Sequence, residues 1–506
     1  MLQAAVVVLA LVTALCRLLV ASRLELFGDE AFYWQCSRAL AAAYADHPPL
    51  TALLVRAGTA LLGDTTLGVR VGFVALSLAV APLVYALARP RLGSRGAWLA
   101  AGLSQLLPSG ALAGALAVPD GLLAVLSLAG LVALDDALRR GRTASWLAFG
   151  LCGALGLATH LRFLLFVASA GLVLVGTADG RRALRRPAPW AALGVLTLGL
   201  APLLVFNLEH DFAPLRYQFV ERHGVREGLA AVPAHLLEQL LLVSPALYAV
   251  LLATLVDALG RARRGDGRDL VPALFAAVPL LVFLLGSPLT DARHDSSHWP
   301  LPAYLPLCAL APALLERLAR AGGWRRALAF AAPGLAGLTV LVVLLDLGAG
   351  VVGLRTLHRP FAGWDALRPA VAARLAELDD AHPGEPPLLV GDNYLLAGQL
   401  AFGSPERDVY TLDHPRNEVD GRGLQGRLWE RDAAALARRA GEPVLLVVQI
   451  TATGYDEREA WRAAVLEGFA SAELLEKVEV ELSPTRKRRF ELYAARVGAG
   501  PEGAGQ

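Results

Sequence analysis

"GDEAFYWQCSRALAAAYADHPPL" occupies residues 28–50 and follows directly on the first apolar stretch of the chain. It sets two adjacent acids, a run of three aromatics and a DHPPL cluster in one short connection. Residues 29–44 predict a helix, with Asp29 at its start and Glu30 in its first turn. Phe32, Tyr33 and Trp34 suit a membrane–water boundary. Pro48 and Pro49 forbid any continuation of the helix. The expectation is a helix lying on the outer membrane surface. At its start Asp29 reads as an N-cap and Glu30 as a favourable charge on the helix dipole. The same position aims a carboxylate at nearby amides, which suits a base. The two readings coexist.

Composition sets the context of that stretch. Of 506 residues, 55% are hydrophobic and 18% charged, where average soluble domains carry roughly 25% charged residues. Mean hydropathy is +0.49, and together these values point to a polytopic membrane protein. The net charge of +2 gives no argument for nucleic acid. The four cysteines form no CxxC pair, so a disulfide framework or zinc site is not expected. Cys36, outside the apolar stretches, reads as a small packed residue. No basic region precedes residues 4–22, so these read as an uncleaved first span, with Arg17 snorkelling near its outer end.

Spans of about 20 apolar residues fall near 4–22, 67–88, 96–117, 120–135, 144–160, 163–178, 188–206, 235–257, 270–287, 299–316 and 327–353. Charge gives a separate test of that count of about eleven. RPRLGSR (89–95), RRGR (139–142), RRALRR (181–186), RARRGDGR (261–268) and ERLARAGGWRR (316–326) occur at every second connection and hold eighteen arginines. Positive loops stay cytoplasmic. The N-terminus is therefore expected inside, and the acidic connections and the tail outside. Residues 1–354 form the expected transmembrane domain, with outer-surface helices in 27–62. Residues 355–506 read as a small extracytoplasmic α/β domain. Its helices are expected at 363–381, 429–441 and 456–469, its buried strands at 387–392 and 443–450, and KVEVEL and RRFELYAARV form a closing strand pair.

The outer connections hold the candidate site residues. A straight helix would keep Asp29 and Asp46 roughly 25 Å apart, so they meet only through a fold-back. Asp120, in the tight turn VPDGLL, is the better partner; its plain reading is a helix cap after Pro119. Two carboxylates facing one cavity suit activation of a hydroxyl or a divalent cation. His47 reads as a turn residue or as a contact to phosphate or hydroxyl. Arg162 shares an outer turn with His160 and reads as a snorkelling cation or as a phosphate ligand at the interface. In the 207–232 connection, Arg216, Arg222 and His223 read as a solvated loop or as contacts to an anionic headgroup. His298 and Trp299 sit at the mouth of a span.

Taken together, DEAFYW…DHPPL and LLGDTTLGVR resemble the bacterial branch of glycosyltransferase family 39, which is similar to protein O-mannosyltransferases and lipid A aminoarabinose transferases. The likeness continues in VPDGLL, PLLVFNLEHDFAPLRYQF, HWPLPAYL, GDNYLLAGQLAF and HPRNEVD, and so covers nearly the whole chain. It implies a GT-C fold in a bacterial cytoplasmic membrane, with the active site on its outer face. It implies a sugar donor carried on a polyprenyl phosphate, and an acceptor lipid, glycan or protein. It places the catalytic aspartate at Asp29, with Glu30 beside it, and a second outer aspartate at Asp120. Tyr33, Asp46, His47, His160, Arg162, Arg216, Arg222, His298 and Tyr394 are the expected substrate contacts. Relatives often carry Lys near HLR or after the histidine of HPPL; here Arg162 and Pro48 stand there. A single base with no nucleophile nearby implies inversion. The rival readings are a transporter or flippase of a lipid-linked sugar, which needs charges at mid-membrane depth, and a non-catalytic envelope assembly factor.

Overall fold

The computed structural model describes residues 1–220, 228–289, 297–419, 421–452, 454–483 and 485–498. Among these, eight helical segments are long and apolar enough to cross a bilayer: Leu2–Arg23, Thr66–Gln105, Pro119–Arg140, Pro187–Glu209, Pro245–Arg263, Leu270–Leu289, Leu301–Ala321 and Gly323–Ala349. The difference from about eleven has local causes. The run Thr66–Gln105 breaks at Gly93, whose φ of 66° lies in the left-handed region. That glycine sits inside the basic connection 89–95, so the run doubles back there. The expected spans near 144–160 and 163–178 are helices of 15 and 13 residues, Thr143–Leu157 and Leu164–Gly176. Both fall short of the roughly 20 residues a span needs.

Trp146, Leu128, Leu131, Phe163, Phe166 and Tyr304 belong to the buried core of the bundle, while Leu11, Leu15, Val175 and Leu285 face outward. One end of the bundle is tied by arginines of the basic connections. Arg91 donates to Asp135 at 3.0 Å, Arg261 to Asp269 at 2.7 Å and Arg317 to Asp257 at 2.7 Å. Arg17 does not snorkel. It is buried and donates to the Ala111 carbonyl and to Ser77 Oγ, because neighbouring helices offer acceptors at its depth.

The 29–44 helix is shorter than its sequence suggests and runs Gly28–Arg38. The alanine-rich stretch after it has good helix propensity, but tertiary burial overrides it. Tyr44 is fully buried, its hydroxyl donates to the Cys36 carbonyl at 2.8 Å, and its amide donates to the His47 carbonyl at 2.9 Å. The chain therefore folds back on itself. Cys36 is fully buried in this packing.

In the tail, helix Trp364–Ala381 precedes strands β1 (Leu388–Gly391), β2 (Val409–Thr411), β3 (Pro443–Val448), β4 (Phe469–Ser483) and β5 (Arg486–Val497). The sheet order is β2-β1-β3-β5-β4. β1 pairs in parallel with β2 and β3, with Leu389 opposite Val409 and Leu445. β5 pairs antiparallel with β3 and β4. β1 and β3 are buried at every residue, as strands covered on both faces require. The helix expected at 429–441 is one short turn, Ala433–Ala437, and a second helix, Arg422–Leu428, precedes it. The last helix is Arg458–Glu467, and β4 starts directly after it.

The tail shares a core with the outer surface of the bundle. Ala31, Phe32 and Trp34 pack in one cluster with Leu389, Leu445, Phe490 and Leu492. Gln399 donates to the Leu26 carbonyl at 2.8 Å, and Glu25 accepts from the amides of Trp364 and Asp365 at 2.6 and 2.8 Å.

Candidate active site

Asp29 and Glu30 are neighbours on one helix and point to different environments. Glu30 is 0% exposed. Its carboxylate takes a two-pronged grip from Arg70, with Nε to Oε1 at 2.7 Å and Nη2 to Oε2 at 2.6 Å. It also accepts from the amides of Phe27 and Ala117. Arg70 spends its remaining donors on the carbonyls of Leu24 and Glu25. Glu30 is therefore a buried clamp between the first helix, the outer helix and the 114–118 turn. The residue expected beside the catalytic aspartate is thus enclosed among these partners.

Asp29 has a 32% exposed side chain. The Tyr394 hydroxyl lies 3.4 Å and Arg422 Nη2 3.5 Å from its Oδ1. Asp46 comes to the same guanidinium through the fold-back after Arg38, in an ion pair with Arg422 Nη1. Two carboxylates that a straight helix would separate thus share one arginine. Arg422 is 6% exposed. Its guanidinium lies 3.9 Å from the centre of the Phe32 ring, with Tyr33 and Tyr394 at 5.7 and 5.6 Å. Burial opposes its charge, but Asp46, Tyr33 and Asp29 outweigh that and hold the guanidinium firmly protonated. Burial likewise disfavours the Asp46 carboxylate, yet Arg422 and then His47 hold it well below the ordinary range.

His47 is 2% exposed and faces Asp46 Oδ1 through Nδ1 at 2.7 Å. Its ring stacks on Tyr44 and meets the edge of Tyr33, and its Nε2 has no hydrogen-bond partner. His160 lies within electrostatic reach of both Asp46 and Asp120. Its Nδ1 accepts from the Arg162 amide. Asp120, in the first turn of Pro119–Arg140, accepts from Arg162 Nη1 at 2.8 Å and faces His298 Nε2 at 3.5 Å. The Arg162 guanidinium also covers the Trp299 ring at 5.1 Å, and among the described residues its buried Nε has no acceptor. From Arg162 an apolar groove runs inward between Leu123, Leu131, Phe166, Phe275, Phe283 and Pro306.

The fold therefore joins Asp29, Tyr33, Asp46, His47 and Tyr394 around Arg422, and Asp120, His160, Arg162 and His298 beside them. Arg216 is exposed on helix Ala213–Phe219. Arg222 and His223 lie outside the described residues. Arg422 and Gln425, which accepts from the Ala45 amide at 2.8 Å, were not anticipated. No periodicity marks them; Arg422 follows just after the HPRNEVD segment. Arg70 ends the quoted LLGDTTLGVR motif, the one signal that pointed to it.

A divalent cation does not fit this donor set. Asp29 and Asp46 already face a guanidinium, and Asp120 faces another. Among the described residues no three His, Cys, Asp or Glu side chains gather to hold a metal ion.

Residues 46–206 match the family model described as dolichyl-phosphate-mannose-protein mannosyltransferase. No curated protein matches the chain in sequence. Among solved structures, ArnT from Cupriavidus metallidurans in the apo state aligns with a TM-score of 0.66 at 18% identity, over 98% of this chain and 99% of that one. The same protein bound to undecaprenyl phosphate aligns with a TM-score of 0.65 at 17% identity, over 99% and 100%. The archaeal oligosaccharyltransferase AglB from Archaeoglobus fulgidus, in complex with an inhibitory peptide and a dolichol-phosphate, aligns at 0.51 and 13% identity, over 96% of this chain and 74% of that one. With the family match over 46–206 and a fold shared along nearly its whole length, the chain has the fold of ArnT, with eight helical segments among the described residues long and apolar enough to cross a membrane, and is similar over 46–206 to the dolichyl-phosphate-mannose-protein mannosyltransferases.

Proposed function

We propose that the protein moves a sugar from a polyprenyl-phosphate donor to an acceptor hydroxyl on the outer face of a bacterial cytoplasmic membrane. One observation carries the reading: a partly exposed carboxylate, Asp29, stands in the cluster that adjoins the Arg162 end of an apolar groove. The bound undecaprenyl phosphate of the ArnT structure supports a donor of this kind. In this reading the groove takes the isoprenoid chain, and Arg162, whose buried Nε lacks an acceptor, meets the phosphate. Asp29 removes the acceptor's hydroxyl proton. The acceptor oxygen then bonds to the anomeric carbon as the bond from that carbon to the phosphate oxygen breaks. The electron pair leaves with the polyprenyl phosphate, whose charge a cation at the site stabilises. Direct displacement inverts the anomeric centre.

Charge supports the orientation. The helix Pro119–Arg140 carries Asp120 in its first turn and Asp135 near its other end, about 23 Å apart along the axis. Asp135 belongs to the arginine-rich end of the bundle, which the positive-inside preference places in the cytoplasm. The active site then faces outward, and residues 355–506 form an extracytoplasmic domain over it.

The test compares a deletion strain with its parent by mass spectrometry of glycolipids and envelope glycans. A sugar missing from one species names donor and acceptor together. Asp29→Asn, present in the membrane at the parental level, is expected to leave that sugar missing. Full restoration by Asp29→Asn overturns the assignment of the base.

A further inference from the structure

We infer that Arg422 is a positioning residue for Asp29, brought into the outer cleft by the tail, so that docking of the tail sets a cation beside the base. The inference rests on the reading of Asp29 as the base.

Tyr394 and Arg422, which meet the Asp29 carboxylate, come from the tail. Arg422 does not depend on Asp29 for its place. Asp46 pairs with it, the Phe32 face covers it, and the Tyr33 ring lies 5.7 Å from it. One helical turn later, Gln425 accepts from the Ala45 amide and ties the same helix to the fold-back. At the start of that helix, Gly421 has a φ of 72° and lies so close to Tyr217 that a Cβ would stand 2.4 Å from its ring. The guanidinium is thus fixed on three sides, and it presents Nη2 to Asp29 at 3.5 Å, too long for a strong hydrogen bond. That arrangement suits a base. The nearby cation favours the ionised carboxylate.

Other charged and titratable groups stand near Arg422 as well. Burial pushes the Tyr33 phenol further from ionisation. Asp46 adds a like charge that faces Arg422 and His47. Glu30 is held by Arg70. Arg422 places its guanidinium 3.5 Å from Asp29.

The test uses the full chain in detergent and reads the Asp29 carboxylate directly. The infrared difference between each background and the same background carrying Asp29→Asn is followed against pH. Arg422→Gln is expected to raise the Asp29 midpoint by about one unit or more, and Arg422→Lys to recover part of the shift. Arg422→Gln leaves Asp46 buried without its partner and is at risk of unfolding. The clean pair is therefore Asp46→Asn against Asp46→Asn with Arg422→Gln, in which no carboxylate is stranded. A midpoint that is the same in those two folded variants overturns the inference, since a merely structural role would not move it. In membranes, sugar transfer at neutral pH is expected to fall about tenfold in the double variant relative to Asp46→Asn. The two readings fail separately. Transfer that survives Asp29→Asn removes the base assignment; transfer lost in Asp29→Asn with an unmoved midpoint removes the role of Arg422 alone.

Discussion

Two carboxylate–arginine groups sit one residue apart on the same helix, and their differences divide structure from chemistry. Around Glu30 the pair is fully enclosed, with bonds of 2.6–2.9 Å to Arg70 and two amides. Around Asp29 the arginine is equally buried, but the carboxylate is partly open and its contacts are 3.4–3.5 Å. A carboxylate that accepts four short bonds has no lone pair left for an acceptor. One that is partly open keeps its reach toward the cleft. Sequence neighbours thus become a clamp and a candidate base because a helix turns successive residues about 100° apart.

The comparison breaks most sharply at Glu30. Glu30→Ala leaves Arg70 buried and unpaired, which costs about 3–5 kcal/mol, enough to deplete folded protein from the membrane. Thermal unfolding in detergent measures this, and a wild-type midpoint would show that the clamp is not structural. Asp29→Asn should leave that midpoint nearly unchanged. Replacing both clamp residues, Glu30→Leu with Arg70→Met, should recover part of the loss. The Phe27 and Ala117 amides then lack acceptors, so a deficit of about 1–3 kcal/mol per amide is expected to persist. If the double variant is no better than Glu30→Ala, the charge pair is not what the site requires.

Gly421→Ala tests the seam that delivers Arg422. The residue is left-handed and faces the Tyr217 ring, so a loss of about 1–2 kcal/mol is expected from the backbone alone. Sugar transfer should fall with it, while the Glu30 clamp stays intact by unfolding midpoint of the bundle. Transfer at the parental rate would separate the seam from the site.

The smallest expected effect concerns pH, and its sign differs between two buried aspartates. Asp46 has its folded pKa held below the ordinary value by Arg422 and His47, after burial is overcome. Its stabilisation is present above roughly pH 4 and is lost only as pH falls through the lower folded value. Asp392, at the end of β1, is pushed up to about 6 by burial, against hydrogen bonds from Trp461 and the Gln449 amide. Its contribution is fully present below roughly pH 4 and is lost as pH rises through about 6. Hydrogen exchange of β1 and helix Arg458–Glu467 should therefore show an opening free energy that falls between those values and flattens above. A flat profile, or one of opposite slope, removes this account of Asp392.

Much of the fold was readable because membrane spans and buried strands are long, repetitive signals. PLLVGD and PVLLVVQI gave β1 and β3, and the arginine-rich connections fell at the tied end of the bundle where they reach it. The ends of elements were less readable. Nothing local stops the helix after Arg38; burial of Tyr44 does. The site was readable only where the chain is contiguous. Asp29, His47 and Asp120 stand in conspicuous motifs, whereas Arg422 lies 393 positions from the aspartate it faces.

By itself the sequence determined a polytopic helical protein with a small α/β tail, because hydropathy and alternation act over neighbouring residues. It also placed acids and arginines in the outer connections. Only the tertiary structure decided which acid is sealed and which is open. Helix phase and the docking of the tail bring Arg70 to Glu30, and Arg422 to Asp29 and Asp46, and neither pairing can be read from local sequence.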